Sequence, residues 1–212
     1  MESKTVLRYH ALKRRRLAYP VERAAWLAAL TDDDVPVLAP LLPPPGALVA
    51  AFEPMGFEPP ADLLIERILA AGLHVIVPDS SSDSQPHPPN DEGGREGGSP
   101  PPAGSPTGQA SHQGLATIGW KWVGGGPTLP ADTLAGVETI VVPAVAVDET
   151  GTRLGRGGGW YDRALKCAGP GVPILAMVNP EELYPPGAIP REEHDIPVTH
   201  ALLPTSIRRL CP

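Results

Sequence analysis

Apolar residues recur through the first thirty positions as Leu7, Leu12, Leu17, Ala24, Leu27 and Leu30. That spacing is a broad helical stripe and predicts a helix over 4–30. Pro20 lies inside it. A proline lacks the N–H that the ladder needs, so the pattern predicts two helices divided there. Pro36, Pro40 and Pro43 to Pro45 then mark a loop. Residues 47–52 form a short apolar run that reads as a strand. A helix is predicted over 62–71, with Asp62 near its start and Gly72 just past its end. Residues 73–78 read as the next strand. Strand, helix, strand is a βαβ unit, which implies a parallel sheet and an α/β fold.

The pattern stops at residue 80. Over 80–114, Pro, Gly and Ser occur seven times each, and Val, Ile, Leu, Met and aromatic residues are absent. Such a segment buries too little apolar surface to offset its ordering entropy. It is read as a disordered Pro/Gly/Ser-rich insertion within one domain spanning 1–212, because strand-like patterning resumes beyond it. Residues 117–123 alternate like a strand, and 139–148 form one long apolar strand. A short helix is expected over 161–167, a buried strand over 172–178, and a turn or helix over 181–184. Turns and short strands fill the tail.

Composition narrows the class. The chain has 212 residues, 42% of them hydrophobic and 5% aromatic, with a formal net charge of −7. That supports one α/β domain with a core and argues against general nucleic-acid binding. The charge is uneven. Residues 1–23 carry Lys4, Arg8, Lys13, Arg14, Arg15, Arg16 and Arg23 against Glu2 and Glu22. A basic helix on an acidic protein suggests a small anionic ligand, although a solvated helix face accounts for several of these cations. The two cysteines, Cys167 and Cys211, lack metal-site spacing and suit a reducing compartment. With neither a signal-peptide pattern nor an apolar run of membrane length, a cytoplasmic protein without membrane association is expected.

Candidate chemistry centres on Arg153-Leu154-Gly155-Arg156-Gly157-Gly158-Gly159-Trp160-Tyr161-Asp162. The run lies between a strand-like stretch and a short helix, an arrangement with which α/β proteins hold phosphate. Glycines let backbone N–H groups approach oxygens, and a helix N-terminus adds partial positive charge. Arg153 and Arg156 can each grip phosphate through a planar fork. Asp162 can hold Mg²⁺. The run is neither a P-loop nor a dinucleotide fingerprint. A flexible surface turn is the plain alternative for three glycines, but the flanking arginines, aromatics and aspartate are not linker composition.

Other residues are weaker signals. Glu58 follows the first strand, where carboxylates face the usual α/β ligand crevice. Glu193-His194-Asp195 contains a His-Asp pair suited to metal binding or acid–base work, though an isolated pair is more often structural. Trp120, Trp122 and Trp160 can stack on a planar heterocycle, the first two being equally suited to packing.

Taken together, these pieces resemble the 5-formyltetrahydrofolate cyclo-ligase (methenyltetrahydrofolate synthetase) family. The likeness rests on Val142 through Asp148, Gly151 and the Arg153-to-Asp162 run. Lys4 with Leu7-Arg8, Glu58 with its βαβ unit, and Pro190 through Glu193-His194-Asp195-Ile196-Pro197-Val198 add to it in order. The resemblance implies a three-layer, open, mostly parallel sheet with flanking helices, of the ribose-5-phosphate-isomerase-like type. It implies ATP- and Mg²⁺-dependent conversion of 5-formyltetrahydrofolate to 5,10-methenyltetrahydrofolate, in a monomer. By position, Lys4 and Arg8 contact ATP phosphates, and Arg153, Leu154, Gly155, Arg156, Gly157, Gly158, Gly159, Trp160 and Tyr161 wrap the triphosphate. Lys4 and Arg156 carry the catalytic charge. Arg156 and Trp160 also face the folate, Glu58 binds the pterin N–H groups, and Asp162 and Asp195 hold Mg²⁺. Two other readings stand beside it: a catalytically impaired nucleotide- or folate-binding module, and another enzyme of the fold such as a phosphosugar isomerase.

Overall fold

Alternation of buried side chains on both faces of the central strands organises the molecule. The computed structural model describes residues 2–31, 43–79 and 118–212. The expected insertion over 80–114 and the prolines at 36 and 40 lie outside the described residues. Eight strands form one sheet in the order β11-β10-β8-β5-β1-β2-β3-β4. They are β1 (Leu48–Ala50), β2 (His74–Pro78), β3 (Gly119–Trp122), β4 (Leu129–Pro130), β5 (Thr139–Pro143), β8 (Ile174–Met177), β10 (His200–Leu203) and β11 (Ser206–Arg209). The five strands from β10 to β2 are mutually parallel; β11 pairs antiparallel with β10, β3 with β2, and β4 with β3. A second, three-stranded sheet joins β6 (Ala146–Asp148), β7 (Arg153–Leu154) and β9 (Leu183–Tyr184).

Two cores cover the large sheet. Val49, Val75, Val77, Val141, Leu175 and Met177 face α1 (Lys4–Thr31) and α2 (Ala61–Ala70), packing on Trp26, Leu30, Leu64 and Ile68. The alternate residues Ala50, Ile76, Ile140, Val142 and Ala176 face Leu134, Val137, Ala164 and Leu165. Both faces of a parallel strand are therefore buried, which explains the nearly continuous apolar runs. The architecture is the expected three-layer, mostly parallel α/β sheet.

Three local expectations are corrected. Helix α1 runs through Pro20 without a break, because buried residues anchor it on both sides: Ala11 and Arg15 before, Trp26 and Leu30 after. The single strand expected over 139–148 is two. After Pro143 the chain leaves the large sheet, and Ala146–Asp148 pairs instead with β7 and β9. The helix expected over 161–167 is α3 (Trp160–Ala164), only five residues, followed by a 3-10 turn at Leu165–Cys167. No helix among the described residues is long and apolar enough to cross a membrane.

Candidate active site at the switch point of the parallel sheet

In the parallel sheet β2 lies on one side of β1, and β5, β8 and β10 on the other. The direction of winding reverses between β1 and β5, and the carboxyl ends of those two strands flank the crevice where such folds bind ligands. Glu58 stands just beyond β1. Its N–H donates to the Met55 carbonyl at 3.3 Å, and Met55 N–H donates back to Glu58 Oε2 at 2.9 Å. That closed turn fixes a carboxylate only 4% exposed.

The segment after β5 supplies the other wall. Arg153 and Leu154 belong to β7 rather than to a free loop, so the part of the motif outside helix and strand is 155–159. Leu154 is buried against Ala11, Val145 and Ile189. Arg153 turns inward: Nη2 donates to Asp162 Oδ1 at 3.0 Å, and the guanidinium lies 5.5 Å from the Tyr161 ring centre. Its buried Nε has no partner among the described residues. Gly155 crosses this guanidinium so closely that a Cβ there would stand 2.8 Å from Arg153 Nη1. Gly157 lies against Arg8, the Gly158 carbonyl accepts from Arg163 Nη1 at 3.1 Å, and Gly159 precedes α3. A five-residue helix carries little macrodipole, so any grip on phosphate here rests on arginines and loop N–H groups.

Arg156 spans the crevice. Its Nε donates to Glu58 Oε1 at 2.8 Å, and its Nη2 to the Met55 carbonyl at 2.8 Å. From α1, Arg8 Nε donates to the Gly155 carbonyl at 2.7 Å. Lys4 Nζ donates to Asp195 Oδ2 at 2.6 Å and to Glu192 Oε2 at 3.2 Å. Residues from four distant stretches of sequence thus meet around one loop.

Aromatic residues back the loop. Trp160 packs edge-on against Trp120 at 5.3 Å and Tyr161 at 4.8 Å. Trp120 is 1% exposed and belongs to the core, whereas Trp122 is exposed at the sheet edge. Burial pushes the Tyr161 hydroxyl well above its ordinary value; Arg153 opposes that push and Glu58 adds to it. Tyr161 is therefore a neutral wall rather than a titrating group.

The acidic candidates fit a hard divalent ion in kind, since carboxylate oxygens suit Mg²⁺. Each already shares an oxygen with a cation, Asp162 with Arg153 and Asp195 with Lys4. Burial raises the Asp195 carboxyl, but the Lys4 hydrogen bond, the Glu192 N–H and the charges of Lys4 and His194 bring it below its ordinary value. Glu192, His194 and Asp195 place one ligand atom each within 4.8 Å of one another, a constellation that lacks Asp162.

Sequence patterning missed the support beneath this site. Arg15 is 1% exposed and Glu182 fully buried. Arg15 Nε and Nη2 donate to the two Glu182 oxygens at 2.7 and 2.6 Å, and Nη2 also reaches the Ala144 carbonyl at 2.6 Å. Asn179 joins them, accepting from Trp26 Nε1 at 2.9 Å and donating to Glu22 at 2.8 Å. The one sequence signal was three consecutive arginines on a helix, which must send at least one cation toward the core.

Comparison with known proteins bears on the family and the fold. The model of the 5-formyltetrahydrofolate cyclo-ligase family matches residues 1–204. A Mycolicibacterium smegmatis protein named 5-formyltetrahydrofolate cyclo-ligase is 36% identical over 160 residues, covering 75% of this chain and 74% of that one. The solved structure of Aquifex aeolicus 5,10-methenyltetrahydrofolate synthetase superposes with a TM-score of 0.63 at 21% identity, over 99% of this chain and 93% of that one. A 5,10-methenyltetrahydrofolate synthetase from Mycoplasma pneumoniae gives 0.57 at 15% identity, over 95% and 98%. These two structures speak to the fold.

Proposed function

Because this chain belongs to the 5-formyltetrahydrofolate cyclo-ligase family and is an enzyme of that family, we propose that it cyclises 5-formyltetrahydrofolate to 5,10-methenyltetrahydrofolate at the expense of ATP. A formamide oxygen is a poor leaving group. Attack of the formyl oxygen on the γ-phosphorus breaks the bond to ADP and leaves the formyl oxygen phosphorylated, which activates its carbon. N10 then attacks that carbon, gives up its proton and closes the ring, and phosphate departs with the C–O electron pair. The protein's task is alignment and charge compensation.

Each residue has a part in that task. Lys4 and Arg8 reach from α1 to the triphosphate, and the 153–161 segment wraps it. Arg156 meets the γ-phosphate and the formyl oxygen, where positive charge stabilises the developing negative charge. Trp160 lines the folate side, and Glu58 accepts hydrogen bonds from the pterin N–H groups. Asp162 and Asp195 would hold Mg²⁺, which, when bound, neutralises charge on the phosphate oxygens. The observation that supports this reading best is the meeting of Arg156 with Glu58, 98 residues apart, at the switch point of the sheet. Methenyltetrahydrofolate absorbance appearing only when 5-formyltetrahydrofolate, Mg²⁺ and ATP are all present is the expected result. ATP binding without product would instead favour an impaired binding module.

A further inference from the structure

The cations assigned to phosphate on this site already have partners inside the protein. Lys4 is held by Asp195 and Glu192, Arg8 by the Gly155 carbonyl, and Arg153 by Asp162. Arg156 is held most completely, by the Glu58 carboxylate and the Met55 carbonyl. Glu58 is equally committed, with Oε1 accepting from Arg156 and Oε2 from Met55 N–H. The two partners differ in freedom. Glu58 is 4% exposed and pinned by its turn, whereas the Arg156 side chain is 47% exposed and rides on a glycine segment. Arg156 is therefore the member that moves.

We propose that Glu58 is an internal competitor of the nucleotide for Arg156, and that exchange of this one pair couples the two ligand sites. The proposal rests on the assignment of Arg156 to phosphate and of Glu58 to the pterin. A γ-phosphate that draws Arg156 away frees Oε1 of Glu58 to accept from a pterin N–H. A pterin that takes Glu58 releases Arg156 for phosphate. Each ligand thereby removes a contact that the other must break, so each binds more tightly after the other. By linkage the two enhancements are equal in size. Glu58 thus sets nucleotide affinity as well as substrate recognition, and it does so with a negative sign.

Titration calorimetry with a non-hydrolysable ATP analogue and Mg²⁺ tests this on the whole chain. In the parent protein, 5-formyltetrahydrofolate should tighten analogue binding by about fivefold or more, within the usual range of site-to-site coupling. Glu58→Gln keeps the turn's shape but withdraws the charge. It should tighten analogue binding by a comparable factor with no folate present, although it removes a group assigned to the active site. Glu53→Gln is the control, because Glu53 is an exposed carboxylate on the same segment, paired with Lys121 at 3.2 Å. It should leave the affinity unchanged. Unchanged or weaker analogue binding in Glu58→Gln, or equal tightening in both variants, would overturn the coupling and leave the ligase reading standing. Failure of the parent protein to bind the analogue at all would instead remove the reading beneath it.

Discussion

Single side chains decide what this site can do, and Arg156 carries the sharpest test. It is half exposed and outside both cores but is the cation paired with buried Glu58, so Arg156→Ala should lower the thermal midpoint modestly while the protein stays folded. Turnover should fall about a hundredfold or more, the scale seen when one charge-stabilising donor is deleted. Initial rates alongside a melting curve separate the two effects. Asp195 gives a prediction in pH. Its folded carboxyl titrates below the ordinary value of 3.8, because Lys4 and its neighbours outweigh burial. Its stabilisation is therefore present above the unfolded value and is lost as pH falls through the lower folded one. Asp195→Asn should lower the melting temperature modestly at neutral pH and converge on the parent only as pH falls below the depressed folded value, itself under 3.8. Gly151 tests the backbone. It sits at φ +77, and a Cβ there would lie 2.4 Å from the Val198 carbonyl oxygen. Gly187 also has positive φ, +70, but faces open space. Gly187→Ala should cost about 1 kcal/mol from backbone conformation alone. Gly151→Ala should cost about 3 kcal/mol or more, the excess being the clash, as read by denaturant midpoints.

At the scale of elements, α1 does more than its amphipathic stripe suggested. Lys4, Arg8, Ala11 and Arg15 fall at spacings of four, three and four, which is one helix face. That face presents two cations to the site and drives a third into the interior against Glu182. The strut ties the helix to the Ala144 carbonyl, immediately after β5, so it holds Lys4 and Arg8 over the crevice. Losing Arg15 leaves buried Glu182 with the partly exposed Arg14 as its one cation, which donates to Oε1 at 2.7 Å, so part of the cost of breaking a buried pair, about 3–5 kcal/mol in full, is expected. Arg15→Ala should unfold at markedly lower denaturant. Lys13→Ala, two positions away and exposed, should stay within about 0.5 kcal/mol. Legibility in the sequence follows the same division. The βαβ unit and the strand near 174 were readable because parallel strands buried on both faces are locally apolar. The break after Pro143 was not, because Ala144 to Val147 is as apolar as the strand before it. Pairing of Ala146–Asp148 with β7 and with the distant β9 decides that it joins a second sheet. The site motif was readable from glycine and arginine spacing. The Arg15–Glu182 strut was not, since its partners are 167 residues apart.

The working parts assigned to this molecule all lie outside the connection between β2 and β3. Lys4, Arg8, Glu58, Arg156 and Asp195 all lie in segments outside residues 80–117, and the sheet that carries them closes without that stretch. Its two ends are already neighbours. Pro78 pairs with Trp120 in antiparallel register, and Asp79 N–H donates to the Gly119 carbonyl at 3.0 Å. Adjacent antiparallel strands can be joined by a few residues. Replacing residues 81–116 with a short Asn-Gly turn that keeps Ile118, which packs on the core beside the sheet, therefore asks nothing new of the fold. Loop-closure entropy grows slowly, about 0.6 kcal/mol per doubling, so shortening the connection about eightfold should stabilise the chain by about 2 kcal/mol. The melting temperature should rise by several degrees, with ATP-analogue affinity unchanged. Turnover of 5-formyltetrahydrofolate is the deciding measurement. Full turnover in the shortened chain would mean that the crevice between β1 and β5 holds both substrates on the residues described here. A KM for folate that rises many-fold, with nucleotide affinity and stability intact, would mean that the replaced stretch supplies part of the folate side.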